Sequence, residues 1–159
     1  MKTQDFITKN LSNGFSFICY KDQYALCGQP QIEDLKEFKN SNWQAVLNLR
    51  NSEELESLDF ELSDTCEQLG LEYNHIPIMK ESEINGSALK ETHHLLDSKP
   101  NKKTIIHCAS GKRSILALIA HLYLSKKQTK EDLSELAEEL GINSPQMLAR
   151  LYESIETKK

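Results

Sequence analysis

A chain of 159 residues, 38% hydrophobic and 27% charged, is long enough to bury one α/β core and too short for two comfortable ones. Its net charge of −5, with a pI near 5.6, argues against a general nucleic-acid binder, which needs a basic face, but leaves room for a local basic pocket. The four cysteines, Cys19, Cys27, Cys66 and Cys108, form no CxxC pair and lack zinc-site spacing to histidine. They read as reduced thiols, three structural and one reactive, in a reducing compartment. Neither a signal-peptide core at Met1–Phe6 nor an apolar run of membrane-spanning length is present, so no membrane is expected and the cytoplasm is the expected location.

In chain order, Phe15–Tyr20 and Tyr24–Cys27 are predicted as two short strands of a hairpin around Lys21-Asp22-Gln23. Gly28-Gln29-Pro30 breaks the pattern, and Ile32, Leu35 and Phe38 then recur at helical spacing, which predicts a helix over about 31–39. The compact apolar run Ala45–Leu49 fits a buried parallel strand. Ser52 is expected to cap one long helix, with Glu53 and Glu54 in its dipole-favoured first turn. Leu55, Leu58, Leu62, Cys66 and Leu69 form its inward stripe and Gly70 stops it.

Glu72–Ile76 reads as a further strand turned by Pro77, and Met79–Gly86 as a polar loop. A helix over about 87–98 directs Leu89, Leu96 and either His93 or Leu95 inward. Its His93-His94 pair reads as exposed helix histidines, because a metal would need further ligands close by. Farther on, Thr129 with Asp132 resembles a capping box, and Leu133, Leu136, Ala137 and Leu140 run to Gly141. Ser144-Pro145 places an N-cap and first-turn proline on a last helix with Met147, Leu148, Leu151 and Ile155 inward. No repeat or linker divides the chain, which is read as a single domain over 1–159.

Between these elements lies the stretch that carries chemistry. The β-branched run Thr104-Ile105-Ile106 leads through His107 to Cys108, and Ala109-Ser110-Gly111-Lys112 forms a short loop ending in Arg113-Ser114. A helix that is apolar on nearly every face follows to Leu124. A strand, a tight loop and a helix N-terminus grip an anion with backbone N–H groups and the helix dipole. The same surroundings favour the thiolate of a cysteine placed in them. Arg113 adds a planar, permanently charged fork matched to two oxygens. The candidate binding residues are therefore Ala109, Ser110, Gly111 and Lys112, around Cys108 and Arg113.

From His107-Cys108 to Arg113-Ser114 the chain resembles the protein tyrosine and dual-specificity phosphatases, and more nearly the bacterial DUF442, or beta-lactamase-hydrolase-like, group. Gly28-Gln29-Pro30 resembles the motif before that group's first helix, Val46-Leu47-Asn48-Leu49-Arg50 its "INLR" strand, and Tyr73–Ile78 its "Y-x-HIPV" strand. The resemblance implies a mostly parallel sheet of four to five strands flanked by helices. It also implies a phosphatase that hydrolyses phosphomonoesters through a phosphocysteine, with a phosphorylated small molecule or phosphoprotein as partner and neither metal nor other cofactor. Cys108 would be the nucleophile and Arg113 the grip on the phosphoryl oxygens. Ser114 would assist the leaving thiolate, while His107 holds the loop and helps keep Cys108 ionised. Arg50 is read as a structural surface residue.

Two departures from the resemblance bear on function. Cys108 and Arg113 enclose four residues where the phosphatase signature has five; four is the spacing of rhodanese sulfurtransferase loops and recurs in the DUF442-like group. The family's general-acid aspartate should follow the 72–78 strand, where this chain has Met79-Lys80, with Glu81 and Glu83 the nearest carboxylates. Sulfur transfer through a Cys108 persulfide, or phosphate binding without turnover, are the alternatives.

Overall fold

The computed structural model describes residues 5–78, 85–126 and 128–156. Its centre is a six-stranded sheet built from β1 (Phe6–Asn10), β2 (Ser16–Tyr20), β3 (Tyr24–Cys27), β4 (Ala45–Asn48), β5 (Glu72–His75) and β6 (Thr104–His107). The spatial order is β1-β2-β3-β6-β4-β5. The first three strands pair antiparallel, as successive hairpins allow, and β3, β6, β4 and β5 pair parallel. The sheet therefore has one strand more than the upper limit expected. The extra one, β1, is an edge strand whose residues are mostly exposed, so no buried alternation announces it in the sequence.

β6 is the axis of the sheet, with Cys27 and Asn48 both in register with His107. Because side chains alternate along a strand, β6 feeds two separate cores. Ile105 joins Ala25 and Val46 on one face, and Ile106 joins Leu26 and Leu47 on the other. The first face is covered by α1 (Ile32–Asn40) and α3 (Leu62–Leu69), through Leu35, Phe38, Leu62 and Cys66, with Trp43 beside them. The second is covered by α4 (Gly86–Ser98), α5 (Lys112–Leu124), α6 (Lys130–Glu139) and α7 (Pro145–Glu156). Ten successive residues of α5, Arg113–Leu122, are buried, which explains its lack of a polar face.

The long helix expected from Ser52 to Leu69 is broken in two. A short α2 (Ser52–Leu55) is separated from α3, and Leu55 and Leu58 are only half-buried. The cap is Asn51 rather than Ser52: its side chain accepts the Glu54 N–H at 2.9 Å, and the Glu54 carboxylate accepts the Asn51 N–H at 3.1 Å. That reciprocal box satisfies two donors and fixes where the Glu54 side chain emerges. His93, one of the two residues expected to turn inward on this helix, is half-buried, with its Nδ1 2.9 Å from Nδ1 of His121 across the α4–α5 contact. The loop expected at Met79–Gly86 falls mostly on residues outside those described, and so do Glu81 and Glu83.

Candidate active site

The site begins where β6 runs out of sheet. The Cys108 N–H donates to the Cys27 carbonyl at 3.2 Å, and the Leu49 N–H donates to the His107 carbonyl at 2.9 Å, so the strand is held on both sides up to Cys108. The chain then turns through Gly111, whose φ of +102° lies in the left-handed region that favours glycine, and α5 starts at once. The turn points the Gly111 N–H at Cys108 Sγ, 3.0 Å away. Ser114, one turn into the helix, has Oγ 3.6 Å from Sγ and 3.2 Å from the Cys27 carbonyl. Its single proton serves one acceptor at a time. The Cys108 sulfur thus lies at the N-terminus of a helix, within reach of a backbone amide and a hydroxyl, with its residue buried. Ala109, Ser110 and Lys112 are exposed around it.

A second layer presses on this loop from β3. The Gln29 N–H donates to the Ala109 carbonyl at 3.3 Å, and a Cβ on Gly28 would come within 2.7 Å of that same oxygen. Only a glycine lets the β3–α1 turn approach so closely.

Arg113 is held from the opposite side. Its side chain is only 7% exposed, and it donates from two nitrogens to the two oxygens of Glu54, at 2.8 and 2.7 Å, and to the Ile78 carbonyl at 3.1 Å. A fork-to-fork ion pair of this kind fixes the plane of the guanidinium as well as its position. Arg50 binds the same carboxylate through Nε at 3.3 Å, the Glu54 carbonyl at 3.2 Å and the Gln29 side-chain oxygen at 2.8 Å. The hydrogen bonds from Arg113, helped by Asn51 and Arg50, hold the Glu54 carboxyl well below the usual range, at about 2. Arg50, expected from the sequence to be a structural surface residue, does not lie on the surface: 11% of its side chain is exposed.

His107 is fully buried, with Nδ1 3.4 Å from the Cys108 carbonyl oxygen and Nε2 without a hydrogen-bond partner among the described residues. Burial, reinforced by the nearby charges of Arg50, His75 and Arg113, pushes its pKa down to about 3. The ring is neutral near pH 7 and brings its polar contact to the loop backbone. Among the described residues no cluster of three or more His, Cys, Asp or Glu could hold a metal ion.

All eight residues expected at the site are brought together in the 107–114 segment. Sequence reasoning missed Glu54, which is read there only as a first-turn acid, although Asn51-x-x-Glu54 is a legible capping box. The carboxylate that meets Arg113 lies 59 residues away, a pairing no local pattern reports.

A mostly parallel sheet with β6 and α5 at its centre and a cysteine–arginine loop between them is the fold of the protein tyrosine and dual-specificity phosphatases. The chain is similar to Tk-PTP in its active form, at 25% identity with a TM-score of 0.67, over 84% of this chain and 91% of the other. It is similar in fold to the kinase-associated phosphatase with its catalytic cysteine changed to serine (22% identity, TM-score 0.73, 86% and 89% covered). A third likeness is to a proposed DUF442 phosphatase from Shewanella putrefaciens CN-32 (18% identity, TM-score 0.64, 83% and 85% covered). No family model matches the sequence, and no curated protein matches it.

Proposed function

We propose that the chain is a cysteine-dependent phosphatase acting on phosphomonoesters of a small molecule or a phosphoprotein. The observation that carries this reading is the Cys108 sulfur at the start of α5, 3.0 Å from the Gly111 N–H and 3.6 Å from Ser114 Oγ, beside an arginine whose plane Glu54 fixes. In the first step the Cys108 thiolate forms an S–P bond as the P–O bond to the leaving group breaks. The leaving oxygen departs as an anion and takes its proton from water, while Arg113 with the loop amides binds the phosphoryl oxygens. In the second step water attacks phosphorus, phosphate leaves, and the thiolate is restored with the Ser114 hydroxyl as hydrogen-bond donor.

One observation favours a second reading. Only four residues separate Cys108 from Arg113, so the ring offers one backbone donor fewer than a five-residue loop, which suits a single sulfane sulfur. The two are told apart by assaying the protein and its Cys108→Ser variant on aryl phosphates and on thiosulfate, with mass spectrometry of the intact chain. A trapped phosphocysteine and Cys108-dependent phosphate release support the phosphatase. Thiosulfate turnover through a Cys108 persulfide, without phosphate release, overturns it.

A further inference from the structure

Arg50 is read from the sequence as a structural residue away from the chemistry, yet it is the third member of the charged cluster beside the loop. Glu54 meets Arg113 oxygen for nitrogen, so the carboxylate and that guanidinium cancel each other's charge. A loop meant to hold a multiply charged oxyanion is then left with a neutral pair at its back. The Arg50 guanidinium is hydrogen-bonded to the same carboxylate and returns the cluster to a net charge of +1. It is also tethered at both ends of the gap it spans. Its NH1 donates to Gln29 Oε1 at 2.8 Å, and the Gln29 backbone N–H donates to the Ala109 carbonyl of the loop. Its own backbone is pinned by Asn48 Oδ1, which accepts the Arg50 N–H at 2.9 Å, and by His75 Nε2, 2.5 Å from the Arg50 carbonyl. A side chain held at this many points has lost little further entropy to act. Among the described residues, Lys112 and Glu53 of the adjoining segments are exposed and more strongly screened.

We propose that Arg50 is a positioning residue of the site. Through Glu54 and Gln29 it ties the β4 end and the β3–α1 turn to the 108–113 loop, and its charge keeps the loop attractive to a dianionic phosphoryl group once Glu54 has neutralised Arg113. The proposal rests on the reading of 108–114 as an anion cradle.

The test reads the local field without requiring turnover. The full-length protein at low ionic strength is alkylated with anionic iodoacetate and with neutral iodoacetamide, and modification of Cys108 is followed by peptide mass. The ratio of the two rates, compared between variants, cancels the intrinsic difference between the reagents. Arg50→Gln and Arg50→Met should lower that ratio roughly 5- to 10-fold, the effect of one charge on the order of 12–17 Å away at an effective dielectric near 20. Arg50→Lys should keep it within about twofold. An unchanged ratio in the neutral variants overturns the proposal while leaving the cradle intact. Equal loss of both rates in all three variants, or failure of both neutral variants to fold, makes Arg50 a folding residue and overturns it as well. Failure of Cys108 to react with either reagent in the unmodified protein refutes the cradle itself.

Discussion

Replacing Glu54 by Gln removes the negative charge from between two guanidiniums, while Arg113, 7% exposed, keeps its hydrogen bond to the Ile78 carbonyl. The Glu54 pKa falls from the ordinary 4.5 to about 2 in the folded chain. At about 1.4 kcal/mol per unit this corresponds to roughly 3 kcal/mol of folding free energy, reduced to about 2–3 because a fifth of the side chain still meets water. A depressed carboxylate contributes stability that is fully present above the unfolded pKa and is lost as pH falls from about 4.5 towards 2. The assay is urea unfolding of the protein and of Glu54→Gln at closely spaced pH values from 7 down to 2. The variant should be less stable by about 2–3 kcal/mol at pH 7, with the gap closing to under about 1 kcal/mol near pH 2. The difference between the two proteins cancels every other titrating group, His107 included. A gap that stays constant across the range refutes the argument that Glu54 holds Arg113 as a carboxylate.

His107 carries its own linkage: its pKa is lowered to about 3, so stability is lost as pH falls from about 6.5 towards 3, and His107→Gln should flatten that slope in the same unfolding series. Iodoacetamide with peptide mapping should label Cys108 before the other thiols near neutral pH, since burial raises Cys19, Cys27 and Cys66, the last to about 12; earlier labelling of any of those three refutes the site. Aryl phosphates should turn over far faster than alkyl ones, because a positioned acid is typically worth about 10²–10⁴-fold. A large loss confined to alkyl substrates in Glu81→Gln or Glu83→Gln would identify that glutamate as the acid and refute its absence. Inserting one residue between Gly111 and Lys112 should preserve or raise aryl-phosphate turnover and leave thiosulfate activity negligible; a fall to nothing refutes the phosphatase geometry.

What the sequence made legible follows from how local each signal is. The run from Thr104 to Leu124 is readable because β-branched residues, a left-handed glycine and an unbroken apolar helix lie next to one another. The hairpin at Lys21-Asp22 is readable for the same reason, and both residues take positive φ in the turn. β1 is invisible because an edge strand exposed on both faces need not alternate; Ile7 is 54% exposed. The break after Leu55 is hidden because Leu55, Leu58 and Leu62 keep helical spacing through a segment that is not helical. Glu54 and Arg50 owe their contacts to Arg113 and Gln29 from distant segments, and a burial pattern carries no record of such pairings. His121 looks like an interruption of an apolar helix until α4 supplies His93 as its neighbour.

The strand order has a consequence for assembly. β3 and β4 follow one another in the chain yet do not pair, because β6, the last strand to be made, lies between them. Without β6, no strand pairing among the described residues would join β1-β2-β3 to β4-β5, and each ribbon would have an open inner edge. The segment that closes the sheet is the one that ends at Cys108. Joining the two ribbons is a long-range and entropically costly pairing, and the strand that makes it is the one leading into Cys108. A chain stalled before that step would carry Cys108 as an ordinary thiol on an unpaired strand, with unjoined sheet edges for a neighbouring chain to pair with.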